Sequence, residues 1–153
     1  MRRKDKQIAG RKEIEDILGK GIVCSIAFSD GNKPYLVTVN YGYREGVIFI
    51  HSAMTGRKID LALKNPHVCF QVVLEKELVK GDDACRDFTM KYRSVVGYGR
   101  ISIVKDADEK REALSVLMKQ HTGRGNFEFR DNSVAETAIL KIIIDEITGK
   151  KSG

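Results

Sequence analysis

The chain has no tryptophan, 2 prolines, 3 cysteines and 3 histidines, and each shortage removes a class of protein. Two prolines beside 14 glycines in 153 residues exclude collagen-like and proline-rich disordered chains. Cys24, Cys69 and Cys85 are odd in number and lack CxxC spacing, so neither a disulfide framework nor a zinc site is expected. Reduced thiols of this kind point to the cytoplasm. The histidines are scattered with no acidic neighbours at ligand spacing, so no metal site is expected either. Apolar runs are short: residues 21–28 are followed by Ser29 and Asp30, and residues 138–144 are broken by Lys141. Neither approaches the roughly 20 residues of a membrane helix. The basic residues 1–12 are not followed by an apolar core and a small-residue cleavage site, so they do not read as a secretory signal. The chain also lacks a GxSxG elbow and an HExxH helix, which removes the common hydrolase readings.

What is present fits one globular domain over residues 1–153: 42% of residues are hydrophobic and 31% charged. The net charge of +6 raises the prospect of a polyanionic partner. Its distribution argues otherwise. Residues 1–12 hold six basic residues against Asp5, which leaves 21 basic and 20 acidic residues in the other 141. No broad basic face follows, and nucleic acid is not an expected partner.

Periodicity supplies the architecture. Ile14, Ile17 and Leu18 predict a short amphipathic helix within residues 8–18. Residues 21–29 form an apolar strand that ends at the turn Asp30, Gly31, Asn32. Residues 35–43 then alternate, with Tyr35, Val37, Val39, Tyr41 and Tyr43 on one face. A third strand spans residues 47–52, with Val47, Phe49 and His51 together. A helix over residues 55–65 stops at Asn65 and Pro66. Residues 67–75 return to period two, and residues 75–87 read as an exposed polar loop. The strand over residues 92–104 contains Gly97 and Gly99, which mark a bulge or a close backbone approach. Asp106 caps a helix ending near His121, with Leu114, Leu117 and Met118 at helical spacing. Residues 137–147 supply the last strand. About six strands, mostly joined by turns, predict a mainly β fold: a small antiparallel barrel flanked by helices. The short connections between the first strands disfavour a parallel doubly wound sheet.

The chemistry concentrates in residues 51–58. Arg57 and Lys58 fall in the first turn of a helix, where cations oppose the helix dipole by a few tenths to about 1 kcal/mol each. A phosphate bound to the free amides would resolve the conflict. Ser52 and Thr55 offer hydroxyls, and Gly56 permits close backbone approach. Solvated surface cations are the alternative. His51, next to this turn, is either a core or rim histidine or a proton shuttle.

These segments, taken in order, resemble a known family. The run Pro34, Tyr35, Leu36, Val37, Thr38, Val39, Asn40, Tyr41, Gly42, Tyr43 carries the likeness, with the blocks 49–53 (Phe-Ile-His-Ser-Ala) and 56–60 (Gly-Arg-Lys-Ile-Asp). Blocks 65–70 (Asn-Pro-His-Val-Cys-Phe) and 92–99 (Tyr-Arg-Ser-Val-Val-Gly-Tyr-Gly) extend it. Together they look like the nitroimidazole-resistance branch of the pyridoxamine 5'-phosphate oxidase-like flavoproteins. The resemblance implies a six-stranded, FMN-binding split barrel and a homodimer with flavin at the subunit interface. It implies that Arg57 and Lys58 hold the FMN phosphate, and that Val39, Asn40 and Tyr41 line the isoalloxazine and offer backbone hydrogen bonds. His51 and Ser52 would sit beside the cofactor, and Tyr92, Ser94 and Val95 would complete the pocket. The implied function is electron transfer from reduced flavin to a small-molecule acceptor, with His51 as proton donor. The alternatives are a pyridoxamine 5'-phosphate oxidase-related enzyme and a non-catalytic flavin- or haem-binding protein.

Overall fold

The computed structural model describes residues 3–83 and 85–153. A 3-10 turn (Lys4–Lys6) and β1 (Gln7–Ile8) lead into α1 (Arg11–Lys20), followed by β2 (Val23–Asp30), β3 (Lys33–Asn40), β4 (Gly42–Arg44) and β5 (Val47–Ser52). Then come α2 (Arg57–Lys64), β6 (His67–Val79), β7 (Thr89–Val104), α3 (Ala107–Thr122), α4 (Asp131–Glu136) and β8 (Ala138–Ser152). The strands form one antiparallel sheet in the order β3-β2-β6-β7-β8-β5-β4, with β1 added to the C-terminal part of β8. The mainly antiparallel split-barrel architecture with flanking helices is therefore present.

The expected count of six strands is corrected to eight, and among the described residues no ladder closes the sheet. The difference has three sources. The alternating run 35–43 is two strands, because Tyr41 leaves the β2 ladder and Gly42 joins β5. The inward alternation survives this break: Tyr35, Val37, Val39, Tyr41 and Tyr43 all pack on one core, so periodicity alone does not mark it. A two-residue strand, β1, is too short to show a period. Residues 75–79, expected in the exposed loop, also belong to β6, where a register shift between Leu74 and Glu77 lets the ladder resume against Lys91, Met90 and Thr89. Residues 131–136 form the unexpected α4, and β8 runs on to Ser152.

The sheet must curl. β3 and β4 end the strand order at opposite edges, yet Asn40 and Gly42 are separated by one residue. The main core fills the interior with Ile26, Phe28, Ile48, Ile50, Phe70, Val72, Ile101, Leu140 and Ile142. α1 adds Ile14, Ile17 and Leu18, and α2 adds Ile59, Leu61 and Ala62. α3 lies on the other face of β5 and β8, where Ala113 and Leu117 are buried and Phe49, Val104, Ala113 and Ile139 form a second cluster. The expected cap is present: the Glu109 amide donates to Asp106 Oδ1 at 2.9 Å. Among the described residues no helix is long and apolar enough to cross a membrane.

The glycines in β7 act as the sequence indicates. The β7–β8 register shifts between Tyr98 and Gly99, and a Cβ at Gly99 would collide with the Ile143 carbonyl oxygen. Gly99→Ala is expected to cost about 1–3 kcal/mol, because the colliding atom is backbone and moves only with β8. Urea unfolding followed by circular dichroism checks this. Burial pushes the Cys24 thiol pKa up to about 12. A short exposure to a thiol reagent at pH 8 should label the exposed Cys85 and leave Cys24 intact until the protein unfolds, as peptide mass spectrometry would show.

Candidate functional site

The turn from β5 into α2 is shaped by Gly56, whose φ of +122° lies where a side chain would be strained. No side chain caps the helix that follows. The Gly56 carbonyl accepts from Ile59 and Asp60, so the amides before Ile59 point out of the helix without an intrahelical partner. Arg57 and Lys58 sit beside them with different surroundings. The Arg57 guanidinium stacks 4.7 Å from the Tyr35 ring centroid and reaches Asp30 at 3.4 Å. Asp30 also accepts from Lys64 at 3.0 Å, and these cations, Lys64 first, hold its carboxyl below the usual carboxylate range. Lys58 is half-buried and makes no ion pair among the described residues, and burial lowers its pKa.

A second group converges at the seam of the barrel. Asn40 at the end of β3 and His51 near the end of β5 line a cavity of about 350 Å³. Its other wall is α3, through Leu114, Leu117, Met118, His121 and Thr122. Tyr41, between β3 and β4, is fully buried. Its hydroxyl donates to the Leu18 carbonyl at 2.6 Å, its amide to the Ile22 carbonyl at 3.4 Å, and its carbonyl lies 3.0 Å from His121 Nε2. Burial raises the phenol pKa. Gln120 completes the seam. It accepts from the Tyr43 amide at 2.7 Å and donates to the carbonyls of Leu18, at 3.1 Å, and Gly21.

The third group lies apart, on the outer face of the sheet. Tyr92 and Ser94 of β7 share a shallow cavity of about 340 Å³ with Gln71, Val73, Val96, Thr148 and Lys150. The Lys150 ammonium is 5.8 Å from the Tyr92 ring centroid, and Ser94 donates to the Lys150 carbonyl at 3.4 Å. Val95 faces inward and is fully buried, as Val39 is partly, while Ser52 is half-buried at the end of the β5–β8 ladder.

Within one chain, then, the structure brings Asn40 together with His51 and Arg57 with Lys58, and sets Tyr92 and Ser94 on another surface. Sequence reading passed over His121 and Gln120. The signal for His121 was available, since it continues the helical spacing of Leu114, Leu117 and Met118. Among the described residues no cluster of three His, Cys, Asp or Glu could hold a metal ion.

The family model of pyridoxamine 5'-phosphate oxidase matches residues 10–151. The chain belongs to the pyridoxamine 5'-phosphate oxidase family. Solved structures of similar proteins agree with this family fold. One is a protein from Bacteroides thetaiotaomicron assigned provisionally to 5-nitroimidazole antibiotic resistance, 29% identical, with a TM-score of 0.84 over 94% of this chain and 85% of that one. An FAD and haem binding protein from Mycobacterium smegmatis is 20% identical, with a TM-score of 0.83 over 96% of this chain and 73% of that one. A flavocytochrome from Azotobacter vinelandii is 18% identical, with a TM-score of 0.85 over 100% of this chain and 72% of that one. Among curated proteins, none matches the chain.

The half-buried cation of this family member carries a stability signature. Burial without an anionic partner disfavours the charged form of Lys58, so the charged lysine costs stability below its folded pKa. That cost is relieved as pH rises through the folded pKa. Lys58→Met should therefore melt at or above the wild-type temperature at pH 7 in the ligand-free protein, and the difference should narrow in thermal unfolding as pH rises toward the ordinary lysine value of 10.5.

Proposed function

We propose that this chain binds FMN and acts as an electron-transfer flavoprotein, passing reducing equivalents to a small-molecule acceptor. The observation that carries the reading is Lys58, a partly desolvated cation with no ion-pair partner among the described residues. Beside it the amides before Ile59 have no intrahelical partner, and Gly56 leaves the approach clear. A phosphate matches that donor set in charge and hydrogen-bonding capacity, so the residues present fit the anionic end of FMN. Family membership supports a flavin, as do the FAD and haem binding protein and the flavocytochrome among the structural neighbours.

When bound, flavin supplies the redox chemistry, accepting a hydride equivalent and releasing one or two electrons. The protein's part is to anchor, orient and protonate. Lys58 and Arg57 hold the phosphate, Arg57 on the rigid support of Tyr35 and Asp30. Val39, Asn40 and Tyr41 run along the ring. Tyr41 is tied by the Leu18 carbonyl and His121, so its main chain is fixed before a ligand arrives. His51 is exposed and lines the Asn40 cavity, where an imidazole can give a proton to a reduced acceptor. Ser52 stands beside it.

Tyr92 and Ser94 serve the site of a second copy in this reading, with the buried Val95 only backing them from the core, which makes the working form a homodimer. The support is the open outer face of β2, β6, β7 and β8. There a trough of about 600 Å³ runs past Ala27, Cys69, Tyr98 and Glu146, and Tyr98 is 57% exposed. The three unpaired cysteines fit a reducing compartment, and we place the protein in the cytoplasm.

FMN titration followed by flavin fluorescence tests the cofactor. Saturable binding is expected, weakened roughly tenfold to hundredfold by Lys58→Ala, the scale of one lost charged hydrogen bond. Absence of binding by wild type would refute the reading, and preference for FAD would correct it. With flavin content equal, His51→Ala should lower turnover of a nitro acceptor by tenfold or more. Unchanged turnover would remove the proton-donor role.

A further inference from the structure

We infer that the cavity between α2, the end of β7, the first turn of α3 and the start of β8 binds a short aliphatic carboxylate. At about 260 Å³ it lies below the roughly 300 Å³ at which pockets for drug-sized ligands begin, so its occupant is small. None of its lining residues belongs to the groups assigned above to flavin, acceptor or second copy. The lining has two chemical halves. Met54, Ile59, Ile103, Val104 and Ala138 are apolar and suit an alkyl chain, with the flexible Met54 able to adjust to its length. Lys105 and Lys110 supply charge of one sign, and neither Asp nor Glu lines the cavity.

Lys110 is the informative residue. It is only 8% exposed, a burial that lysines seldom reach without an anionic partner. Its ammonium donates to the Thr137 carbonyl at 2.8 Å and to the Val134 carbonyl at 3.2 Å. An ammonium has three N–H groups, so one donor remains, and no carboxylate among the described residues balances the charge. The acid next to it in sequence is engaged elsewhere, since Glu109 meets Lys141 at 2.5 Å. Lys105 is exposed at the rim and has no ion pair among the described residues either.

A carboxylate matches what is left. One oxygen accepts from Lys110 and the other faces Lys105, and such charge-assisted bonds are about twice as strong as neutral ones. The chain then lies along the apolar wall. A phosphate fits less well, because its additional oxygens would face that wall with no donor. A neutral alcohol would leave the buried ammonium without a counter-charge.

Methyl-labelled methionine reads the cavity directly, with the Met54 signal assigned by Met54→Leu. The protein is titrated with hexanoate, hexan-1-ol and inorganic phosphate at constant ionic strength. Hexanoate should shift the Met54 methyl signal saturably, and the alcohol and phosphate should bind at least fivefold more weakly. Lys110 also ties α3 to the end of α4, so its replacement threatens the fold, and the rim cation is the one to vary. Lys105→Glu should weaken hexanoate at least fivefold with an unchanged circular dichroism spectrum. A Met54 signal unmoved by hexanoate, equal affinity for the alcohol or for phosphate, or an unaltered Lys105→Glu variant would overturn the inference. Ile59 follows Lys58 in the chain, so the titration is repeated with excess FMN while flavin fluorescence reports cofactor binding. The hexanoate response should persist beside bound FMN, and its loss there would return the cavity to the flavin site and overturn the inference. A hexanoate response in protein that binds no FMN would sink the flavin reading alone.

Discussion

Tyr41 is the one residue between the two edges of the sheet, and that connection constrains everything around it. β3 ends the strand order on one side and β4 on the other, so a single-residue link obliges the sheet to roll until its edges meet. Burial of the Tyr41 ring in the core and its hydroxyl bond to Leu18 hold the roll in place. The edges meet without pairing, which leaves polar backbone at the seam to be satisfied elsewhere. α3 supplies the remedy through Gln120 and His121, which take up groups of Tyr41, Tyr43, Leu18 and Gly21.

The same seam produces the candidate site. Rolling the sheet brings the end of β3 beside the end of β5, and so places Asn40 next to His51 although eleven residues apart in sequence. The helix that seals the seam becomes the apolar wall of the cavity. Two helices thus border the candidate site with different chemistry. α2 offers cations and free amides for an anion, and α3 offers Leu114, Leu117 and Met118 with two imidazoles nearby.

Local patterns made much of this legible. The glycines of β7 announced a bulge because a residue without Cβ inside a strand has few other uses, and the structure places the register shift at Gly99. The Asp106 cap and the face Leu114, Leu117, Met118 were readable because capping and helical period act over a few residues. The break at Tyr41 was hidden, since the alternation continues across it while the hydrogen-bond partners change. β1 and α4 were hidden for want of length, and the extension of β6 because a register shift after Leu74 breaks its alternation.

By itself the sequence determined a mainly β chain with a basic N-terminal segment and a pair of cations behind Gly56. These properties follow from composition and from neighbours in the chain. Tertiary structure decided which of those cations keeps a carboxylate partner: Arg57 meets Asp30, 27 residues away, and Lys58 meets none among the described residues. It also decided that His121 joins His51, and that Tyr92 and Ser94 face away from both. Such outcomes depend on which strands become neighbours when the sheet rolls, a long-range consequence that short-range periodicity does not encode.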